Sequence, residues 1–252
     1  MLIEERLYKI EEVLKEKKSA TIDFLSKSLS VSRDTIRRDL IKLEEKNIIK
    51  RTYGGAVLLS KEALVFDYNE RLSQLQEVKE KIGRRTAELI KNNSYILFDS
   101  STTVQTTIPF LDNYGIHGIT NSLTSAQLLG KLNDSEITVL PGRLNKEQLF
   151  LYGADTVKKI NKYFVDYTIL GVFAINSDGL YVHTEEEGAV KTEMVKNGKQ
   201  VIALADHTKL DTIGFFKVCD LKEIDVLITD TDPSQELKKS LEDADVRIII
   251  AD

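Results

Sequence analysis

Over the first sixty positions, apolar residues recur at helical spacing; later they fall into short continuous blocks. Leu7, Ile10 and Leu14 share one face of a first helix. Thr21 stands as the N-cap of a short second helix that buries Ile22, Leu25 and Leu29. Ser30-Val31 makes a brief turn, and Ser32 caps a third helix running to about Lys46. At about 100° per residue, Ile36, Leu40 and Leu43 form the core side of that helix. The pair Gly54-Gly55, flanked by Ile48-Ile49 and the apolar run 56–59, predicts a tight β-hairpin. Residues 1–53 contain no glycine and no proline, which favours helix throughout. Three short helices followed by a hairpin make a winged helix-turn-helix pattern.

Residues 60–75 read as a polar connector with a weak helical pattern. Beyond them a helix at 78–91 leads into the apolar strand 95–98. Further strands are predicted at 116–120, 137–140, 165–171, 200–205, 226–228 and 246–250. Helices at 123–132, 185–197 and 235–241 lie between them. Continuous apolar strands separated by helices imply a parallel sheet covered on both faces, a Rossmann-like α/β domain. The expected division is a winged helix-turn-helix domain at 1–58, a linker at 59–75 and an α/β effector domain at 76–252.

Charge sharpens this division. The net charge of −5 is made of +3 over residues 1–57 and −8 over the rest, a basic arm on an acidic body. No apolar run approaches the ~18 residues of a membrane span. The charged N-terminus lacks the apolar stretch of a signal peptide, so a cytoplasmic location is expected. A single cysteine, Cys219, excludes an internal disulfide and a cysteine zinc site. With three scattered histidines, no metal and no cofactor are expected.

The third helix carries chemistry opposite its core side. Asp34, Thr35, Arg38 and Lys42 lie there, with Arg33 and Arg37 on the shoulder. Arginine reads guanine in the major groove and hydroxyls take phosphates, while free amides near Ser32 hold a further phosphate. Lys50, Arg51 and Tyr53 stand beside the hairpin, within reach of a DNA backbone. An Arg-Arg-Asp run alone would be solvated surface; the full order of helix, capped turn, basic helix and glycine hairpin points to DNA.

Four strand ends carry a second chemistry. Asp99-Ser100-Ser101-Thr102-Thr103, Thr120-Asn121-Ser122, Leu140-Pro141-Gly142-Arg143 and Ala205-Asp206-His207-Thr208-Lys209 supply amides, hydroxyls, two cations and two carboxylates. Ligands of open α/β sheets sit at the carboxyl ends of the strands. Cations and amides there suit a phosphate, and carboxylates suit sugar hydroxyls. For any one loop, simple helix capping explains the residues equally well.

The stretch Ser32-x-x-Thr35-Ile36-Arg37-Arg38-Asp39-Leu40, with Leu43-Glu44 and Arg51-x-x-Gly54-Gly55-Ala56, resembles the signature of the DeoR family of bacterial transcriptional regulators. The later loops resemble that family's sensor domain, similar in fold to ribose-5-phosphate isomerase and glucosamine-6-phosphate deaminase. The resemblance implies an Asp-x-Gly-Thr-Thr loop at Asp99–Thr103, a Thr-Asn-Ser loop at 120–122 and a Glu…Lys helix at Glu187 and Lys191. It also implies an Ala-Asp-x-x-Lys segment at 205–209. Ser101 and Pro141 replace two of the family's glycines, and Gly142 is kept. Asp39, at the edge of the core side, is given a structural role.

Ser32, Arg33, Thr35, Arg37, Arg38, Lys42, Arg51 and Tyr53 are therefore the expected DNA contacts. The expected effector contacts are residues 99–103 and 120–122, Arg143, Glu187, Lys191, Asp206 and Lys209. The expected partners are an operator duplex, a phosphorylated sugar or related metabolite, and further copies of the chain in a homodimer or homotetramer. A repressor of a carbohydrate-utilisation operon is the leading reading. The alternatives are a sugar-phosphate isomerase or deaminase, and a DNA-binding protein with a silent sensor. Of the histidines, His117 is read as structural, His183 as preceding a helix start, and His207 has the best claim to a ligand. Cys219 is read as a packed apolar residue.

Overall fold

The computed structural model describes residues 3–17, 19–45, 48–52, 54–58, 68–112 and 114–252. The chain divides into two compact units between residues 65 and 66. The first contains α1 (Ile3–Lys17), β1 (Ser19–Thr21), α2 (Ile22–Leu29), α3 (Arg33–Glu45), β2 (Ile49–Thr52) and β3 (Gly55–Leu58). Leu7, Ile10, Leu14, Leu25, Ile36, Leu40, Leu43 and Ile49 form one buried core, the apolar faces expected of three helices and a hairpin. Thr21 caps α2, its hydroxyl accepting from the Phe24 amide at 3.1 Å. Ser30 closes that helix in the left-handed conformation at φ 53°. β3 pairs with both β2 and β1, so the wing is a three-stranded antiparallel sheet. β1 was not expected, because Ser-Ala-Thr carries no apolar alternation. Gly55 is needed for it: a β-carbon there would stand 2.1 Å from the Ala20 carbonyl oxygen.

The second unit opens with α4 (Tyr68–Ser73) and α5 (Gln76–Ala87). Then come β4 (Tyr95–Phe98), α6 (Thr102–Gln105), β5 (His117–Thr120), α7 (Leu123–Leu129) and β6 (Glu136–Val139). A hairpin of β7 (Arg143–Asn145) and β8 (Phe150–Tyr152) precedes α8 (Ala154–Ile160) and β9 (Val165–Gly171). β10 (Ala174–Asn176), β11 (Gly179–Val182), α9 (Glu185–Lys196), β12 (Gly198–Ala205) and β13 (Phe216–Cys219) follow. β14 (Val226–Thr229), α10 (Gln235–Asp243) and β15 (Arg247–Ile250) complete it.

Seven strands form the central sheet in the order β15-β14-β12-β9-β4-β5-β6, all parallel. Alternation along each strand divides it between two cores. Ile96 and Phe98 pack with Ile82, Val104 and Leu129, whereas Leu97 packs in the other core with Val190 and Met194. A sheet buried on both faces is what continuous apolar strands require. A second sheet, β10-β11-β13, is antiparallel and was not expected. The expected connector also needs correction. Residues 59–67 lie outside the described residues, but Tyr68–Ser73 is helical and bonded into the second unit. Among the described residues, no helix is long and apolar enough to cross a membrane.

Candidate DNA interface and effector site

The recognition face begins with the cap of α3. Ser32 Oγ accepts from the Thr35 amide at 3.1 Å and lies 2.8 Å from Thr35 Oγ1. One turn on, Asp39 is buried and takes both ends of the Arg6 guanidinium, at 2.5 and 3.0 Å. That fork fixes α3 against α1, the structural role expected of Asp39. Arg33, Arg37, Arg38 and Lys42 are all exposed on the outer side. Three of the expected arginines are already paired: Arg33 with Asp23 at 2.6 Å, Arg37 with Asp34 at 2.9 Å and Arg51 with Glu44 at 2.5 Å. Arg38 and Lys42 have no carboxylate partner among the described residues. Tyr53 lies outside the described residues.

In the second unit, strand direction gathers the four loops. β12, β9, β4, β5 and β6 are consecutive and parallel, so the segments after Ala205, Gly171, Phe98, Thr120 and Val139 line one edge. Sequence order runs outward from β4 on one side and from β9 on the other, which makes the β4–β9 gap the switch point where such sheets bind ligands.

Asp99 sits at that gap, 1% exposed. One oxygen accepts from the Gly171 amide at 2.8 Å and from Lys191 Nζ at 2.5 Å; the other accepts from the Ser101 amide at 2.8 Å. Lys191 also donates to the Gly171 carbonyl at 2.6 Å and lies 3.3 Å from Glu187. Burial alone would lower the lysine's pKa, but Asp99 and Glu187 reverse this and leave it raised. Asp99 and Lys191 are thus an internal pin joining α9 to the switch point, with their polar atoms engaged inside the protein. Ser101 adopts φ −72°, a conformation open to any residue, so its backbone needs no glycine. The glycine requirement has moved across the gap: a β-carbon on Gly171 would stand 1.9 Å from Ser101 Oγ. Gly142 keeps φ +150° and lies against Thr156 and Tyr152, where only glycine fits.

The other loops are partly engaged. Thr120 Oγ1 accepts from the Ser122 amide, and Ser122 caps α7 through the Ser125 amide. Asn121 donates to the Leu151 carbonyl at 2.9 Å, leaving its buried Oδ1 without a partner among the described residues. Asp206 accepts from the Thr208 amide and hydroxyl. Arg143 is exposed and Lys209 half-buried, neither with a carboxylate partner among the described residues. Ser100, Thr102 and Thr103 are buried in the loop itself. His207 is oriented by Asp230, 2.6 Å from Nδ1. His117 stacks on Tyr95 and contacts Thr138 at 3.0 Å, a structural position. Burial pushes the Cys219 thiol up to about 12, consistent with a packed apolar role.

Helix α4 is tied to these same loops. Tyr68 Oη donates to Gln105 Oε1 at 2.8 Å, Gln105 Nε2 donates to Thr124 at 2.7 Å, and the Tyr68 amide donates to the Glu147 carbonyl at 3.2 Å. Lys79 on α5 donates to the Arg71 carbonyl. Sequence reading missed Lys79, one of several cations on a charged helix; its burial, not its spacing, sets it apart.

Comparison with known proteins decides the family. A model of the DeoR-like helix-turn-helix domain matches residues 6–62, and one of the DeoR C terminal sensor domain matches residues 74–231. The chain belongs to the DeoR family. It is 42% identical over 252 residues to the HTH-type transcriptional repressor GlcR of Bacillus subtilis, covering 100% of this chain and 98% of that protein. It is 30% identical over 239 residues to the glycerol-3-phosphate regulon repressor of Escherichia coli, covering 94% of each. Among solved structures, ribose 5 phosphate isomerase A from Neisseria gonorrhoeae aligns over 54% of each chain at 17% identity and TM-score 0.39. As a member of the DeoR family, the chain is a DNA-binding transcriptional regulator and not an enzyme.

Proposed function

We propose that this regulator represses a carbohydrate-utilisation operon and that a phosphorylated sugar or polyol sets its grip on operator DNA. The observation that carries the reading is the outer face of α3, where exposed cations stand on a helix locked by the Arg6–Asp39 fork. Repression is supported by relatives that are repressors along their whole length, one of them of a glycerol-3-phosphate regulon. A phosphorylated effector is supported by Arg143 and Lys209, cations suited to the phosphate, and by Asn121 Oδ1, an acceptor suited to a sugar hydroxyl and without a hydrogen-bond partner among the described residues, all at the carboxyl edge of the sheet. One recognition helix reads a single half-site, so a symmetric dimer or tetramer on paired half-sites is proposed. A DNA-binding protein with one unpaired thiol suits the cytoplasm.

The ion pairs rank the arginines. Arg37 must leave Asp34 to reach DNA, whereas Arg38 has no such partner to give up among the described residues. Arg38→Ala is expected to weaken operator binding by about 1–3 kcal/mol. Arg37→Ala is expected to cost less, and Asp34→Asn to tighten binding slightly. Fluorescence anisotropy with the upstream region of the chain's own operon checks this order. Equal affinity of Arg38→Ala and the parent protein would remove α3 from the interface. For the effector edge, a panel of sugar phosphates is expected to raise the melting temperature of the parent protein, and Lys209→Ala to lose that shift.

A further inference from the structure

The seven-stranded sheet has two open edges, β6 and β15, and they are finished differently. At β15, Ile249 is buried, and the charged residues Asp232, Lys238 and Glu242 line a cavity together with Ile248 and Ile250. Charges beside an edge strand guard it against pairing with another chain. β6 carries no such guard: Ile137 and Val139 are 38% and 44% exposed, with the uncharged Thr138 between them. The amides of Glu136 and Leu140 donate toward β5, to the Ile116 and Thr120 carbonyls. Alternation therefore turns the peptide groups of Ile137 and Val139 to the open side, where no strand pairs among the described residues. Their side chains share one face. Ile137 is in register with Gly118, which packs against Leu129 of α7, so this face is the α7 side. Leu123, at the start of that helix, is a further exposed apolar residue there.

We infer that β6 is an interface between two copies of this chain, paired antiparallel and edge to edge across a two-fold axis at Thr138. The inference deepens the dimer reading above and rests on it. The open peptide groups set the register, because hydrogen-bonded positions of an antiparallel pair must face each other. An axis at Thr138 uses both open residues: Ile137 of one copy stands opposite Val139 of the other, and the reverse. That register satisfies about four ladder hydrogen bonds. Directly opposite side chains lie on one face, so Ile137 and Val139 of both copies form one branched aliphatic cluster. The surface is its own complement, as a two-fold contact requires. No residue from 137 to 139 is charged, so like charges do not meet at the axis. Glu136, with its side chain 83% exposed, faces the end of the second copy's strand. Beyond that end the exposed Arg143 carries the opposite charge.

The test compares the full-length protein with a variant carrying both Ile137→Lys and Val139→Lys, by sedimentation equilibrium. Both positions are exposed, so the far-ultraviolet circular dichroism should be unchanged while the mass is halved. Cysteine cross-linking checks the register. Thr138→Cys should give a covalent dimer under mild oxidation, since its two α-carbons stand about 4.5 Å apart across the axis. Glu136→Cys should not, because its two copies lie about 13 Å apart along the strands. Cys219 is buried and takes no part. An oligomeric parent whose mass the two lysines leave unchanged overturns the interface and leaves the dimer reading standing; so does failure of Thr138→Cys to cross-link. A parent that is monomeric at the concentrations where it binds its operator overturns both. A variant of halved mass that binds the operator as tightly as the parent supports the interface and rejects the reading of paired half-sites.

Discussion

Lys191→Met should destabilise the sensor unit by about 3–5 kcal/mol, the usual cost of breaking a buried ion pair from one side. The lysine is 4% exposed and Asp99 1% exposed, so removal of the ammonium strands a carboxylate beneath the sheet edge. The amides of Gly171 and Ser101 still bond Asp99, which keeps the loss below that of a bare buried charge. Asp99→Asn in the same background should recover part of the loss, because the stranded charge is gone. Alkaline titration adds a signature. The folded pKa of Lys191 is raised, so its contribution is complete below the ordinary lysine value of about 10.4 and disappears as pH rises through the folded value. Urea unfolding of the parent and the variant should therefore differ most at neutral pH and converge in strong alkali. A variant as stable as the parent at neutral pH would show that the pin is dispensable.

The second large effect is expected at Asp39→Ala in the DNA-binding unit. It leaves Arg6, 11% exposed at its side chain, without the fork that joins α1 to α3. The expected cost is about 3 kcal/mol, the low end for a buried pair, because Arg6 retains some water. A unit with one small core tolerates that poorly. Circular dichroism should show a separate, earlier melting phase for this unit, and operator binding should fail at temperatures where the sensor remains folded. A single unchanged transition would contradict this.

The seven strands of the main sheet were legible because each is a short apolar block and an α-helix separates all but β12 and β14 from the next strand of that sheet. The recognition helix was legible for a different reason: one cap, one apolar stripe and one basic face coincide in its thirteen residues. β10 and β11 were missed because they form a tight hairpin whose strands show no polar–apolar alternation, and β13 because its partner β11 lies far earlier in the chain. The site was legible as four loops and not as individual roles. Asp99 and Lys191 are 92 residues apart, and nothing at either position announces that they satisfy each other rather than a ligand. Arg6 and Asp39 are 33 apart, and only the aspartate's place on the helix hinted at its burial. Ser101 stands where the resemblance places a loop glycine. The backbone is ordinary there, and the space is made by Gly171 on the neighbouring strand.

Salt-dependent binding of the full-length protein to its own upstream DNA, with and without sugar phosphates, tests the central claim most directly. Several phosphate contacts from α3 and the wing give a steep fall of log affinity with log salt, close to −0.9 per contact. The account predicts that slope, a clear preference for the upstream fragment over unrelated duplex, and an affinity that changes when one sugar phosphate is added. Weak binding that is equal for both duplexes at every salt concentration, and blind to the whole panel, would contradict it.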